Sequence, residues 1–534
     1  MLYFKKLDEL MKNKKLIALV ILFTLTIFVS LYLAQIKINS GIPFYGDTGF
    51  YYILLNNIHS GLGPVNKILP SLLDYTFIKG LQNWDINQLC NFDLSSLSNI
   101  TTGSNHFEFH LYPILYPISV LLYAFSAPLV THFVDIFSFI SFLLISYLIL
   151  RKFSVPIIFA SFATLMISLH PAWSWSILGQ PFVDRIFLPF GLLAIYSLDI
   201  LKSNRLSLIF FTICGLIVEK AIMYSGVFLL LHTLLNYRSL KNKDRIIRIT
   251  FGILLIIIFE VVTKVYLTSN PYYASFIQFS LTHYINLLSD QRFINGIFSL
   301  LLLNGPILIL IFWTSPKLFI LTLVMMGPNL IGNIGGAEKT GYATHYHTLY
   351  FPFLVYAFCR SMGYLSEKSY FKKPFSVIMI TSFLFINSFI YYTVDFTSRQ
   401  TIFLNFQRNF SYFSGFNDFS KNQKRYESIT KKIAENIPID SRISSIEAGW
   451  PYLYLHRKVS IYPYDLKNSD FILMNYTKNE AGYSFSGFAT FLGEDTSNKI
   501  NHCLNDKITS LGFDITNPIT LNENLAILRK GRNF

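Results

Sequence analysis

Long apolar blocks dominate the chain. They recur from residue 16 to residue 394 and are separated by short polar or charged stretches. A bilayer core takes about 20 apolar residues per helix, so blocks of this kind predict transmembrane helices. The first, residues 16–36, follows the basic opening MLYFKKLDELMKNKK. A basic start before an apolar run could be a signal peptide. The run is too long for that, however, and no small-x-small cleavage site follows it, so it reads as an uncleaved anchor with a cytoplasmic N-terminus. Further blocks predict helices over 129–150, 154–169, 186–201, 206–218, 221–235, 246–267, 293–313, 318–334, 349–358 with its flanks, and 375–394. The expected architecture is a polytopic α-helical membrane protein with about eleven transmembrane helices over residues 1–394.

The block at 110–127 is ambiguous, because Pro113 and Pro117 interrupt it and Pro128 follows it. Counting Lys and Arg decides its placement. If this block does not cross, the cytoplasmic segments hold 19 basic residues and the outer ones before the tail only 8. If it crosses, every later loop inverts and the inside-positive bias fails. Residues 110–127 are therefore expected to lie in or dip into the outer interface, which their prolines tolerate better than a continuous helix would. Residues 37–128 then form a first outer loop with interfacial helices.

Composition agrees with this pattern. The 534 residues are 52% hydrophobic and 14% charged, with a mean hydropathy of +0.44, whereas soluble domains carry about 25% charged residues. The net charge of +14 is explained by the cytoplasmic loops, which removes nucleic acid as an expected partner. The 52 Phe and 33 Tyr suit lipid contact and interfacial belts.

The topology gathers charge on one side. Charged residues within or at the edge of spans are costly. Here Asp135, Asp184, Arg185, Glu219, Lys220, Glu260 and Lys264 all fall toward the outer helix ends. Asp47, Glu108, Glu338 and Lys339 lie in the outer loops, joined by His106, His110, His170, His345 and His347. A polar site at the outer membrane surface is expected.

After the last span the composition changes. RYESITKKIAENI is amphipathic at helical spacing, and RISSI, KVSIYP and DFILMNY are short β-type runs between turn signals. Residues 395–534 read as a small C-terminal α/β domain, extracytoplasmic by topology. Cys214 and Cys359 lie in or beside spans and read as apolar filler. Cys90 and Cys503 both fall outside, which leaves open a disulfide in an oxidising compartment or two free thiols, the commoner case. No spaced Cys/His set for zinc occurs, nor does a glycine-rich phosphate loop.

In chain order, the stretches GDTGFYYILLNNIHSG, HFEFHLYPILYPI, HPAWSWSILGQPFVDRIFLPFGLLAIYSL, VEKAIMYSGVFLLL, THYHTLYFPFLVYAF and IPIDSRISSIEAGWPYLYLHRKVSIYP resemble the membrane proteins grouped as domain of unknown function 2079, which are similar to GT-C glycosyltransferases. The resemblance implies one span, a large outer loop with an acid near its start, interface helices and an outer C-terminal domain. It implies that Asp47 is the catalytic base or a metal ligand. This chain departs from that pattern at Thr48, where many relatives carry a second acid, at the extra His110, and at Asp184-Arg185, which occupies the region of an acid the relatives place after Phe-His.

The chemistry that follows is sugar transfer from a polyprenyl-phosphate-linked donor for cell-envelope glycoconjugates, at the outer face of the inner (cytoplasmic) membrane. Such transfer needs a base, for which Asp47 is the candidate, and cations against the leaving phosphate, for which Arg185 and Lys220 are candidates, with Lys339 a further substrate-binding candidate. Asp184 and Glu219 complete the expected substrate site with His106, His110, His345 and His347, and the histidines could hold a divalent metal with Asp47. The bland alternatives are internal ion pairs for the charges, satisfied interfacial histidines, and simple membrane anchoring for Tyr45, Phe50, Tyr51 and Tyr52. A transporter or flippase, or a non-catalytic envelope-assembly protein, is the competing function. A transporter would place its polar site near the midplane and show repeated halves.

Overall fold

The computed structural model describes residues 47–65, 85–91, 105–108, 110–170, 183–267, 285–286, 288–289, 291–331, 348–395, 403–404, 416–456, 458–462, 465–479, 482–486 and 506–531. The segment 16–36 lies outside them. Every other predicted apolar segment falls on a helix: α4 (Ala127–Lys152), α5 (Ile157–Leu169), α6 (Phe187–Asp199), α7 (Asn204–Ile217), α8 (Glu219–Leu235), α9 (Asn242–Val261), α10 (Gln291–Thr314), α11 (Pro316–Ile331), α12 (Phe351–Glu367) and α13 (Pro374–Thr393). Before them come α1 (Asp47–His59), α2 (Ile86–Asn91) and α3 (Leu115–Ser119). The proline-rich block at 110–127 makes only the short α3 and a 3-10 turn, Val120–Tyr123, before α4 begins. Pro113 and Pro117 remove backbone donors and keep it from forming one continuous helix.

Among the described residues, two helical segments, Ala127–Lys152 and Asn242–Tyr266, are long and apolar enough to cross a membrane. Their outward faces are apolar as well. Leu129, Phe133, Phe137, Leu144 and Leu148 form one exposed stripe on α4, and Phe375, Ile378, Met379, Phe385, Ile386 and Phe389 are exposed on α13. Stripes of that extent on water-facing helices would be an aggregation surface, whereas in lipid they are ordinary. Inside the bundle, α6 packs on α4, α7 and α12 and buries Phe187, Leu188, Leu192 and Ile195. Helices α8 and α9 approach closely at Gly226, where an added Cβ would meet the carbonyl oxygen of Gly252 at 2.8 Å, the small-residue packing that lets membrane helices touch.

The C-terminal part carries α14 (Phe416–Asn436) and a six-stranded mixed sheet of order β4-β3-β5-β8-β7 with β6 paired to β5. Its strands are β3 (Arg442–Ser445), β4 (Lys458–Ile461), β5 (Phe471–Asn479), β6 (Gly482–Ser486), β7 (Ile519–Thr520) and β8 (Leu525–Arg529); the short β1 (Val394–Asp395) and β2 (Phe403–Leu404) pair separately. β3 runs parallel to both β4 and β5, while β8 is antiparallel to β5. The run Phe471, Ile472, Leu473 and Met474 is buried throughout, as expected of a central strand covered on both faces. Ile429, Ile433 and Ile437, at helical spacing along α14 and just past its end, are buried too. This part rests on α1: Asn56 Nδ2 donates to the Tyr454 carbonyl at 2.7 Å, and the Tyr52 ring meets Tyr454 edge-on. Tyr51 and Tyr52 are therefore buried (3% and 1% exposed) and not lipid-facing anchors.

Cys214 and Cys359 are buried free thiols, as their apolar surroundings predict. Cys90 is disulfide-bonded, not the free thiol that was the commoner expectation. Of the four cysteines in the sequence this leaves Cys503, which lies outside the described residues. Peptide mapping without reductant is expected to recover a peptide containing Cys90 linked to one containing Cys503; recovery of both as free thiols would refute the pairing.

Candidate functional site

The break between α7 and α8 sets the site. Ile217 ends α7, Val218 is extended, and Glu219 starts α8. An acid in the first turn is favoured by the helix dipole and its unsatisfied N–H groups. Glu219, fully buried, uses both carboxylate oxygens on the segment that precedes α3. Oε1 lies 2.9 Å from His110 Nδ1, and Oε2 accepts from the Leu111 N–H at 3.0 Å. The Ile114 N–H donates to the carbonyl of Leu216, fixing the same segment against the end of α7. The short turn of the HFEFHLYP motif is thereby strapped to the α7–α8 junction.

Aromatic and imidazole rings fill the space beside it. Tyr112 stacks on His106 and lies 5.6 Å, ring to ring, from both His110 and Tyr51. The Tyr51 hydroxyl donates to the Tyr112 hydroxyl at 2.9 Å. Burial holds the Tyr112 phenol well above its ordinary range, with Tyr51, Asp184 and Glu219 adding to the shift. Burial, joined by the charge of His110, pulls His106 down to about 3, and Glu219 only partly opposes this. His106 is therefore a neutral ring at physiological pH.

Asp184 and Arg185 sit in the 3-10 turn Val183–Ile186 just before α6. The Arg185 guanidinium donates to Asp135 Oδ2 of α4 at 2.5 Å, both groups being buried. The internal ion pair is thus realised at Arg185. Asp184 takes the other direction. Burial raises its carboxyl; Lys220, His110 and Arg185 pull it back and Glu219 pushes it further, leaving it at about 6. A carboxyl poised there can exchange a proton near neutral pH. We expect the infrared band of a protonated carboxyl to vanish with a midpoint near pH 6, and Asp184→Asn to lack this transition. A wild-type protein with no titration between about pH 5 and 7 would remove Asp184 from proton transfer.

The described geometry thus joins Asp184, Arg185, Glu219, Lys220, His106 and His110 in one cluster. Asp47 is the first residue of α1, one turn before Tyr51; its side chain lies outside the described residues, as do His345, His347 and Lys339. The described contacts of His170 lie elsewhere: its Nε2 is 3.2 Å from Asn304 Oδ1 and its ring is 4.7 Å from that of Phe351. Glu260 and Lys264 pair with each other on an exposed helix face, 2.9 Å apart. Among the described residues, no group of three or more His, Cys, Asp or Glu is arranged to hold a metal ion. Reading the sequence for charge leaves Tyr51 and Tyr112 out of the expected site and gives Asp135 no partner there.

The chain matches no protein-family model and no curated protein, so membership in the domain of unknown function 2079 group is not shown. Among solved structures it is similar to ArnT from Cupriavidus metallidurans bound to undecaprenyl phosphate, at 10% identity over 96% of this chain and 98% of that one, with a TM-score of 0.48. That likeness assigns neither activity nor residues here.

Proposed function

We propose that this chain is a membrane-embedded glycosyltransferase of GT-C type that takes a sugar from a polyprenyl-phosphate-linked donor at the outer membrane face. One observation carries the reading: the buried ionisable groups of α4, α6 and α8 converge at one end of the bundle, beside the helix that Asp47 begins. A transporter reading asks for such groups at mid-depth, whereas here Asp184, Arg185, Glu219 and Lys220 sit at helix starts and Asp135 lies two turns into α4. The basic-residue bias supports this end as the outer one. The disulfide at Cys90 supports it too, since disulfides persist outside the cytoplasm.

In this reading the acceptor hydroxyl oxygen attacks the anomeric carbon of the donor, and the bond from that carbon to the phosphate oxygen breaks. Asp47 takes the hydroxyl proton. The polyprenyl phosphate leaves with the electron pair, its charge offset by Lys220 and by Arg185 seated on Asp135. We assign His345, His347 and Lys339, which lie outside the described residues, to the same substrate site, and those histidines with Asp47 are the residues that would hold a divalent metal.

Full-length protein in sealed proteoliposomes should convert a labelled polyprenyl-phosphate sugar into free polyprenyl phosphate and glycosylated acceptor. Passage of intact donor across the bilayer without cleavage would replace the transferase reading by the flippase one. Reporters fused after Val394 are expected outside the cytoplasm, and those at Lys241 inside. A cytoplasmic reporter after Val394 would overturn the orientation.

A further inference from the structure

At the other end of the same helices lies a second polar site. Helix α8 carries Glu219 in its first turn and His232 in its last, about 20 Å apart along the axis at 1.5 Å per residue. Helix α4 carries Asp135 two turns from its start and Lys152 at its end, and α6 leads from the Asp184-Arg185 turn to Asp199. Lys152, Asp199 and His232, together with Lys202, Lys317, Arg360 and Glu367, line a cavity of about 490 Å³.

Its charges do not cancel. Four cations face two carboxylates. Asp199 is taken by Lys202 at 3.2 Å and also accepts the Tyr356 hydroxyl. Glu367 is taken by Arg360 at 2.7 Å. Lys152, at the end of α4, and Lys317, in the first turn of α11, have no ion-pair partner among the described residues. The N–H groups that open α11 add positive potential beside Lys317. His232 is buried, and its Nδ1 has no hydrogen-bond partner among the described residues.

The surroundings are those of a lipid interface. Leu201, Leu234 and Ile320, next to lining residues in the chain, are exposed apolar side chains. Nearby on α10 and after α12, the exposed Trp313 packs on Tyr370, and Lys373 lies over the Tyr370 ring, the aromatic and basic mixture of a membrane boundary. The volume is in the range of small-molecule sites, about 300–1,000 Å³, and far exceeds the about 30 Å³ share of a single water. A lone phosphate would leave most of it empty.

We propose that this cavity binds the phosphate-bearing headgroup of an anionic phospholipid in the leaflet opposite the Glu219 cluster, with Lys152 and Lys317 as the phosphate ligands. The proposal rests on the membrane-spanning part of the preceding reading, not on sugar transfer. Its readout is lipid retention, so failure of the transferase reading leaves it standing. The full chain would be assembled into phosphatidylcholine nanodiscs holding a minor fraction of phosphatidylglycerol, then released for native mass spectrometry. Wild type should retain phosphatidylglycerol above its share. The double variant Lys152→Gln/Lys317→Gln should lose on the order of thirtyfold in that preference, about fivefold for each lysine. Lys152→Arg/Lys317→Arg should keep it, showing that charge and not folding was lost. Unchanged retention in the Gln variant, or displacement of the lipid by millimolar inorganic phosphate, would overturn the proposal, the second outcome identifying a free phosphate site instead.

Discussion

Replacing Asp47 by Asn is expected to lower sugar transfer at least about a hundredfold while the protein still inserts and folds, the loss that follows removal of a general base. The expectation rests on where the backbone puts this residue. Asp47 opens α1, and an acid in the first turn of a helix is tolerated there by the dipole. One turn on, Tyr51 reaches the Tyr112 hydroxyl, and Tyr112 is packed among His106 and His110 and feels Asp184 and Glu219. α1 cannot slide away from this cluster easily, because Asn56 and Tyr52 fix its middle to Tyr454, and His59 at its end lies 3.0 Å from the Ser119 carbonyl oxygen. Asn retains size and hydrogen bonding and can serve a turn or helix start nearly as well as Asp. A capping role therefore predicts near-normal transfer, and that result would leave α1 as a purely structural helix.

The helices were legible because an apolar run of membrane length rarely folds as anything but a helix. Even the interruption at Pro113 and Pro117 shows in the structure as short turns. In the C-terminal part, RYESITKKIAENI follows α14 to one residue past its end and DFILMNY leads into β5, since period and β-branching are local properties. The site was legible only as far as charge stands out against an apolar background. Glu219, Lys220, Asp184 and Arg185 do so. Tyr51 and Tyr112 do not, because 33 tyrosines make any one of them look like interface aromatic. Pairing was not legible at all. Arg185 reads as a phosphate ligand by residue type, yet its guanidinium is engaged by Asp135, fifty residues earlier on α4. Glu219 finds His110 across 109 positions. Such partners follow from helix packing, which a single sequence does not encode in any local pattern.

Glu219→Ala is expected to destabilise the fold by about 3 kcal/mol, the lower end of what breaking a buried pair costs. The reason lies in what the substitution strands. The Leu111 N–H and His110 Nδ1 both lose the carboxylate, and each polar group left unmet away from water costs about 1–3 kcal/mol. His110 is 20% exposed and recovers part of its loss from water, which keeps the expectation at the low end. Transfer should fall in parallel, since the 110–114 segment carries Tyr112 and, through His106, the floor of the cluster. Glu219→Gln separates support from charge. Its amide oxygen still accepts from Leu111, so the thermal midpoint should stay near wild type. The lost negative charge should move the Asp184 titration below about 6, because Glu219 is one of the groups that raises it and burial alone remains to do so. An Ala variant as stable as wild type would mean that the strap between the HFEFHLYP turn and α8 does not hold the site. A Gln variant whose Asp184 still titrates at about 6 would mean that the two carboxyls do not share one electrostatic environment.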